Sequence, residues 1–136
     1  MDLRLVVPFA PITKKNSQRI LINQGTRKPF IAQSEKYKQY ERACTMMLAK
    51  HGQPRINRPV NVKALYYMPT RRRVDLINLH EALHDILVRA EILEDDNSKI
   101  IVSTDGSRVL YDKMNPRTEV YITEVNDEDT DSSADV

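Results

Sequence analysis

The hydrophobic period changes within residues 60–90, and that change limits the fold more than any other feature of the chain. In residues 60–68, VNVKALYYM, Val60, Val62, Ala64, Tyr66 and Met68 take every second place. That is the pattern of a strand buried on one face. Pro69 stops it, Arg71, Arg72 and Arg73 follow, and residues 74–90, VDLINLHEALHDILVRA, repeat at the helical period. At about 100° per residue from Asp75, residues Ile86, Leu79, Ala90, Leu83, Leu76 and Leu87 fall within about 20–120°. Asn78, Glu81, Ala82, Asp85 and Arg89 fall within about 240–340°, giving one core face and one largely polar face. A strand and a helix that each need cover on one face are satisfied by two packed layers.

The remaining segments agree. Residues 3–7 read as a first strand stopped by Pro8, and residues 11–18, PITKKNSQ, as a basic loop. Residues 19–23 and 29–33 read as two short strands around the turn NQGTRKP. Ser34 is a good N-cap, and Tyr37, Tyr40, Ala43, Cys44, Met47 and Leu48 form an amphipathic stripe closed by Gly52 and Pro54. Strands are expected at residues 100–103 and 108–111 around a hairpin-type Asp105-Gly106 turn, and at residues 118–123. The order β-β-β-α-β-α-β-β-β predicts an α+β two-layer sandwich with a mixed β-sheet and two main helices.

One domain accommodates 136 residues. The expected division is a folded body over residues 1–124 and a disordered acidic tail over residues 125–136. The single cysteine, Cys44, excludes an internal disulfide framework and a Cys-rich zinc module; on the apolar stripe it reads as a buried thiol. The N-terminal segment is broken by Pro8 and Pro11 and reads as a strand, not a signal peptide. No apolar run is long enough to span a membrane, and cytoplasm is the default location. The net charge of +2 conceals a division. Residues 1–73 carry 16 Lys/Arg against 3 Asp/Glu, whereas residues 74–136 carry 5 against 16. A basic half suits a polyanion such as nucleic acid, and an acidic half suits a metal site or a tail.

Two acidic clusters flank the second helix directly after three arginines. Phosphodiester chemistry with a divalent ion needs such a set: hard carboxylate oxygens for Mg²⁺ and guanidinium groups for phosphate. Each cluster also has an ordinary explanation. Glu81 and Asp85 suit a solvated helix face, Asp95-Asp96 a turn, and Arg71–Arg73 and the Lys14, Lys15, Arg19 segment solvated basic loops. His80 and His84 have zinc spacing but no evident third ligand. Of Tyr66 and Tyr67, one faces the core and the other is open to a base or a dimer interface.

The stretch MPTRRRVDLINLHEALHDILVRAEILEDDNSKI resembles the core of the RusA family of Holliday-junction resolvases. These are small, often phage- or prophage-encoded, homodimeric, Mg²⁺-dependent endonucleases that resolve four-way DNA junctions by paired nicks. Met68-Pro69 matches the family's strand end, Arg71–Arg73 its basic run, and Asp75 its first aspartate. Asn78-Leu79 matches its Asn-Leu, Asp85 its helical aspartate, and Asp95-Asp96 its acidic pair. PITKKNSQR resembles the family's basic, Asn-containing loop. The resemblance implies Asp75 and Asp96 as catalytic and metal-holding, and Lys14, Lys15, Asn16, Arg19, Arg71, Arg72 and Arg73 as DNA-binding. It implies Mg²⁺, with Mn²⁺ as a substitute, branched DNA as partner, a homodimer, and a bacterial or phage-infected cell. Two positions depart: the family's second aspartate is Ile77 here, and its catalytic lysine is Glu81. Three accounts follow. Glu81 supplies the missing carboxylate as a catalytic residue; Asp95 completes the metal site; or the protein is a catalytically silent binder of branched DNA. A protein-interaction adaptor is a further alternative.

Overall fold

In the computed structural model, residues 2–14 and 18–126 are described. Lys15, Asn16 and residues 127–136 of the expected tail lie outside them, as does the Arg19 side chain. Strands β1 (Asp2–Val7), β2 (Gln18–Ile22) and β3 (Pro29–Gln33) precede helix α1 (Glu35–Ala49). Strand β4 (Val60–Met68), helix α2 (Leu76–Arg89), and strands β5 (Ile101–Ser103), β6 (Arg108–Tyr111) and β7 (Arg117–Glu124) follow. No helix among the described residues is long and apolar enough to cross a membrane.

The main sheet is mixed, with β4 at its centre. β7 lies antiparallel between β1 and β4, pairing Leu5 with Val120 and Val62 with Ile122. Both β5 and β6 run parallel to β4, at its start and at its end respectively. The Asp105-Gly106 turn is therefore not a hairpin, contrary to expectation: it is a jog between two pieces of one interrupted edge. Asn61 fixes the jog, its Oδ1 accepting from the Asp105 amide at 2.8 Å and its Nδ2 donating to the Asp105 carbonyl at 3.1 Å. Gly106 has φ of +87°, a conformation that L side chains adopt only under strain. β2 and β3 form a separate two-stranded sheet.

Both helices cover one face of the main sheet. Leu5, Val62, Ala64, Tyr66, Val120 and Ile122 meet Cys44 and Leu48 of α1 and Leu79, Leu83, Ile86 and Leu87 of α2 in one core. Complete burial of a leucine such as Leu87 contributes about 1.5–3 kcal/mol. Ser34 caps α1 by accepting from the Tyr37 amide at 3.1 Å. On α2 the buried surface is wider than the angular count predicts, because Ala82, placed on the polar face, is 2 % exposed. α1 and the N-terminal loop pack against that side: Arg89 meets Glu41 of α1 at 3.5 Å, and Lys14 meets Asp85 at 3.1 Å.

Candidate active site at the start of α2

Two backbone signals place Asp75. Pro69 ends β4, and the loop that follows must close before α2 can begin. Asp75 provides the start: it is extended, and its Oδ1 accepts from the Ile77 amide at 2.9 Å, satisfying one of the helix's open N–H groups. The carboxylate thus sits at the positive end of the helix dipole, where anionic groups are favoured. Arg73, Val74, Asp75 and Asn78 line an open cleft of about 420 Å³. A neighbouring depression of about 320 Å³ is lined by Met68, Thr70, Arg71, Arg72 and β6 residues. The Arg71 guanidinium lies over the Tyr111 ring, 4.2 Å from its centroid, and all three arginines are exposed. Three guanidinium groups and a capping carboxylate therefore share one surface, and Ile77 stands beside them 73 % exposed.

Glu81 is exposed on α2, four residues beyond Ile77. Side chains on a helix lean toward its N-terminus, so Glu81 leans toward the Asp75 end. Asp85 is engaged elsewhere. Burial pushes its carboxyl up, but hydrogen bonds from Lys14 and Arg89 outweigh that and hold it below the usual range. Lys14 ties the N-terminal loop to α2 through Asp85 at 3.1 Å and is 21 % exposed.

Asp95 and Asp96 occupy a turn after α2. Asp95 accepts from the Asp96 amide at 2.8 Å and from Asn97 Nδ2 at 3.0 Å, and these bonds, the backbone one foremost, hold its carboxyl below the usual range. This turn lies at the beginning of β4: Glu94 N donates to Ile56 O at 2.9 Å, and Val60 N donates to Ile100 O at 2.8 Å. Asp75 follows the end of β4. The two acidic groups thus sit at opposite ends of α2, whose 14 residues span about 21 Å. Among the described residues, no three His, Cys, Asp or Glu side chains gather as a metal site. The described carboxylates of one chain do not gather around a single ion.

His80 and His84 lie between the core face and solvent. Tyr66 Oη is 2.7 Å from His80 Nδ1, and the two imidazoles stack with centroids 5.3 Å apart. Burial pushes both imidazoles down, His84 to about 4 with help from His80. Cys44 is buried, as its place on the stripe predicts, and burial pushes its thiol up to about 11. Tyr67, left open to a base or a dimer contact, is covered by the Arg117 guanidinium 3.8 Å from its centroid. Sequence reasoning missed the network around it on the sheet's outer face. Arg117 donates to Glu119 and Asp112, and Tyr121 donates to Glu119. Its one signal was the alternation of Arg117, Glu119 and Tyr121 on a single strand face.

A search of curated proteins finds no match to this chain. The family model described as Endodeoxyribonuclease RusA matches residues 8–123, a span that takes in β4, the arginine run, α2 and the Asp95-Asp96 turn. With most of its length matched, the chain belongs to the RusA endodeoxyribonuclease family.

Proposed function

We propose that the protein is a Mg²⁺-dependent, structure-selective endonuclease that resolves four-way DNA junctions by paired nicks. It would act as a homodimer in the cytoplasm of a bacterial or phage-infected cell. The observation that carries this reading is the cleft at the start of α2, where Asp75 and Asn78 meet Arg73 beside exposed Arg71 and Arg72. Guanidinium groups hold phosphate through paired, charge-assisted hydrogen bonds and so fix the strand's register. Open N–H groups at the helix start favour the same anion.

The separation of the carboxylates supports a dimer. A site that uses both Asp75 and Asp96 cannot form within one protomer, since about 21 Å of helix lies between them. A two-fold axis that sets Asp75 of one protomer against the Asp95-Asp96 turn of the other would form two equivalent composite sites. Two matched sites are what symmetric nicking of a four-way junction needs. Asp75, Asp96 and Asp95 would hold the ion, with Glu81 supplying the carboxylate absent at Ile77. Bound there, Mg²⁺ or Mn²⁺ would supply charge neutralisation at the scissile phosphate and a more acidic water. The exposed Ile77 favours a second reading, a binder of branched DNA that does not cut.

Nicking of a synthetic four-way junction in Mg²⁺, Mn²⁺ or EDTA separates the two. Metal-dependent cutting by the wild type, lost in Asp75→Asn and Glu81→Gln while binding persists, supports the nuclease. Junction binding with no cutting under any condition selects the silent reading. Binding with no preference for branched over linear duplex overturns both.

A further inference from the structure

The β2–β3 hairpin breaks the rule that apolar side chains of a small domain go inside. Ile20 is 76 % exposed, Ile22 63 %, Phe30 45 % and Leu21 39 %. β2 and β3 pair only with each other, so neither face of this ribbon is the inside of the main sheet. Ile20 and Ile22 share one face, and Leu21 stands opposite Phe30 on the other. An isolated hairpin is marginal in water, yet the turn here is closely built. Asn23 Oδ1 accepts from the Gly25 and Thr26 amides at 2.9 and 3.0 Å, and Arg27 N donates to Asn23 O at 2.7 Å. The apolar side chains are thus displayed on an ordered projection.

Charge indicates what would cover them. Residues 18–33, the two strands and their turn, carry three Lys/Arg and no Asp/Glu, and two of these, Arg27 and Lys28 at the turn, are exposed. Two copies of this ribbon meeting face to face would bring like charges together. A polyanion would instead meet the cations with phosphate and the apolar residues with something flat and apolar. Base faces fit that description. Reading base edges in a groove relies chiefly on polar side chains, whereas aliphatic and aromatic side chains also enter between bases and unstack them. The centre of a four-way junction already interrupts stacking, so a wedge there opens less than it would in a continuous duplex.

From this juxtaposition of exposed apolar residues with an acid-free basic ribbon, we infer that the β2–β3 hairpin is a wedge. It inserts Ile20, Ile22 and Phe30 against unstacked bases at the branch point. This rests on the junction-cutting reading and adds to it the element that deforms the substrate.

The test uses a four-way junction with 2-aminopurine beside the branch point, in EDTA so that no strand is cut. Wild-type protein should raise its fluorescence and leave a linear duplex with the same base unchanged. Ile20→Ser/Ile22→Ser and Phe30→Ser should each lose the rise. Junction affinity should stay within about tenfold, because phosphate contacts supply much of the binding. All three positions are exposed, and an unaltered melting curve verifies that the variants are folded. A wild type that nicks junctions but leaves 2-aminopurine dark overturns the wedge alone. So do serine variants that keep the rise, or that convert a dimer to a monomer in sedimentation, which would make the ribbon a self-interface. A wild type with no preference for junctions overturns the wedge together with the reading beneath it.

Discussion

Mild acid should destabilise this protein through His84. In the unfolded chain an imidazole binds its proton near pH 6.5; in the fold, burial and the stacked His80 push His84 down to about 4. Between those values the unfolded state holds more protons than the native state, so stability rises with pH. The contribution is complete above pH 6.5 and is lost as pH falls through 4. Linkage with these two values gives a loss of about 2 kcal/mol between pH 7.5 and pH 5. For a domain of this size that is roughly 6–10 °C in melting temperature. His80, also pushed down by burial, adds to the same slope. The perturbation is His84→Leu, which removes the titrating group and keeps an apolar filling beside His80. Urea unfolding at pH 7.5, 6.5, 5.5 and 5 should show a steep decline for the wild type and less than half of it for the variant. Equal declines would refute the reasoning, since they would place the acid sensitivity elsewhere.

Three further substitutions test packing and polar contacts. Tyr66→Phe removes the partner of His80 Nδ1 and should cost about 1–2 kcal/mol in urea unfolding, with fold and apolar packing retained. Gly106→Ala forces an L side chain to φ +87° with its Cβ 3.0 Å from Lys63 Cδ, and should cost about 1–3 kcal/mol. Asp85→Asn weakens the hold of Lys14 and Arg89 in a partly exposed pair, so its stability cost should stay near or below about 1 kcal/mol. The same change should quicken tryptic cleavage after Lys14, which is read by mass spectrometry.

What could be read from the sequence was local. The alternation in residues 60–68 and the helical repeat in residues 74–90 gave β4 and α2 within two residues, because both depend on neighbours a few positions away. Ser34 was readable as a cap for the same reason. What depended on a distant partner was not. The Asp105-Gly106 turn resembles a hairpin until β4 is seen to pair with both flanking strands. Ala82 looks polar-facing until α1 and the Lys14 loop cover its side of α2. Asp75 and Asp95-Asp96 read as one site because a single motif contains both, yet the 14-residue helix between them holds them apart. Lys14 and Asp85, 71 positions apart, gave no sign of meeting.

Complementation between two crippled protomers tests the central claim most directly. Asp75→Asn and Asp96→Asn proteins, each purified alone, should bind a four-way junction without nicking it. Co-expressed, they form mixed dimers in which one composite site lacks both carboxylates and the other retains both. With random pairing, about one quarter of the wild-type number of sites is restored, so single nicks should return while paired nicks do not. Absence of nicking in verified mixed dimers, with the wild type active, would contradict a site built from Asp75 of one protomer and Asp96 of the other.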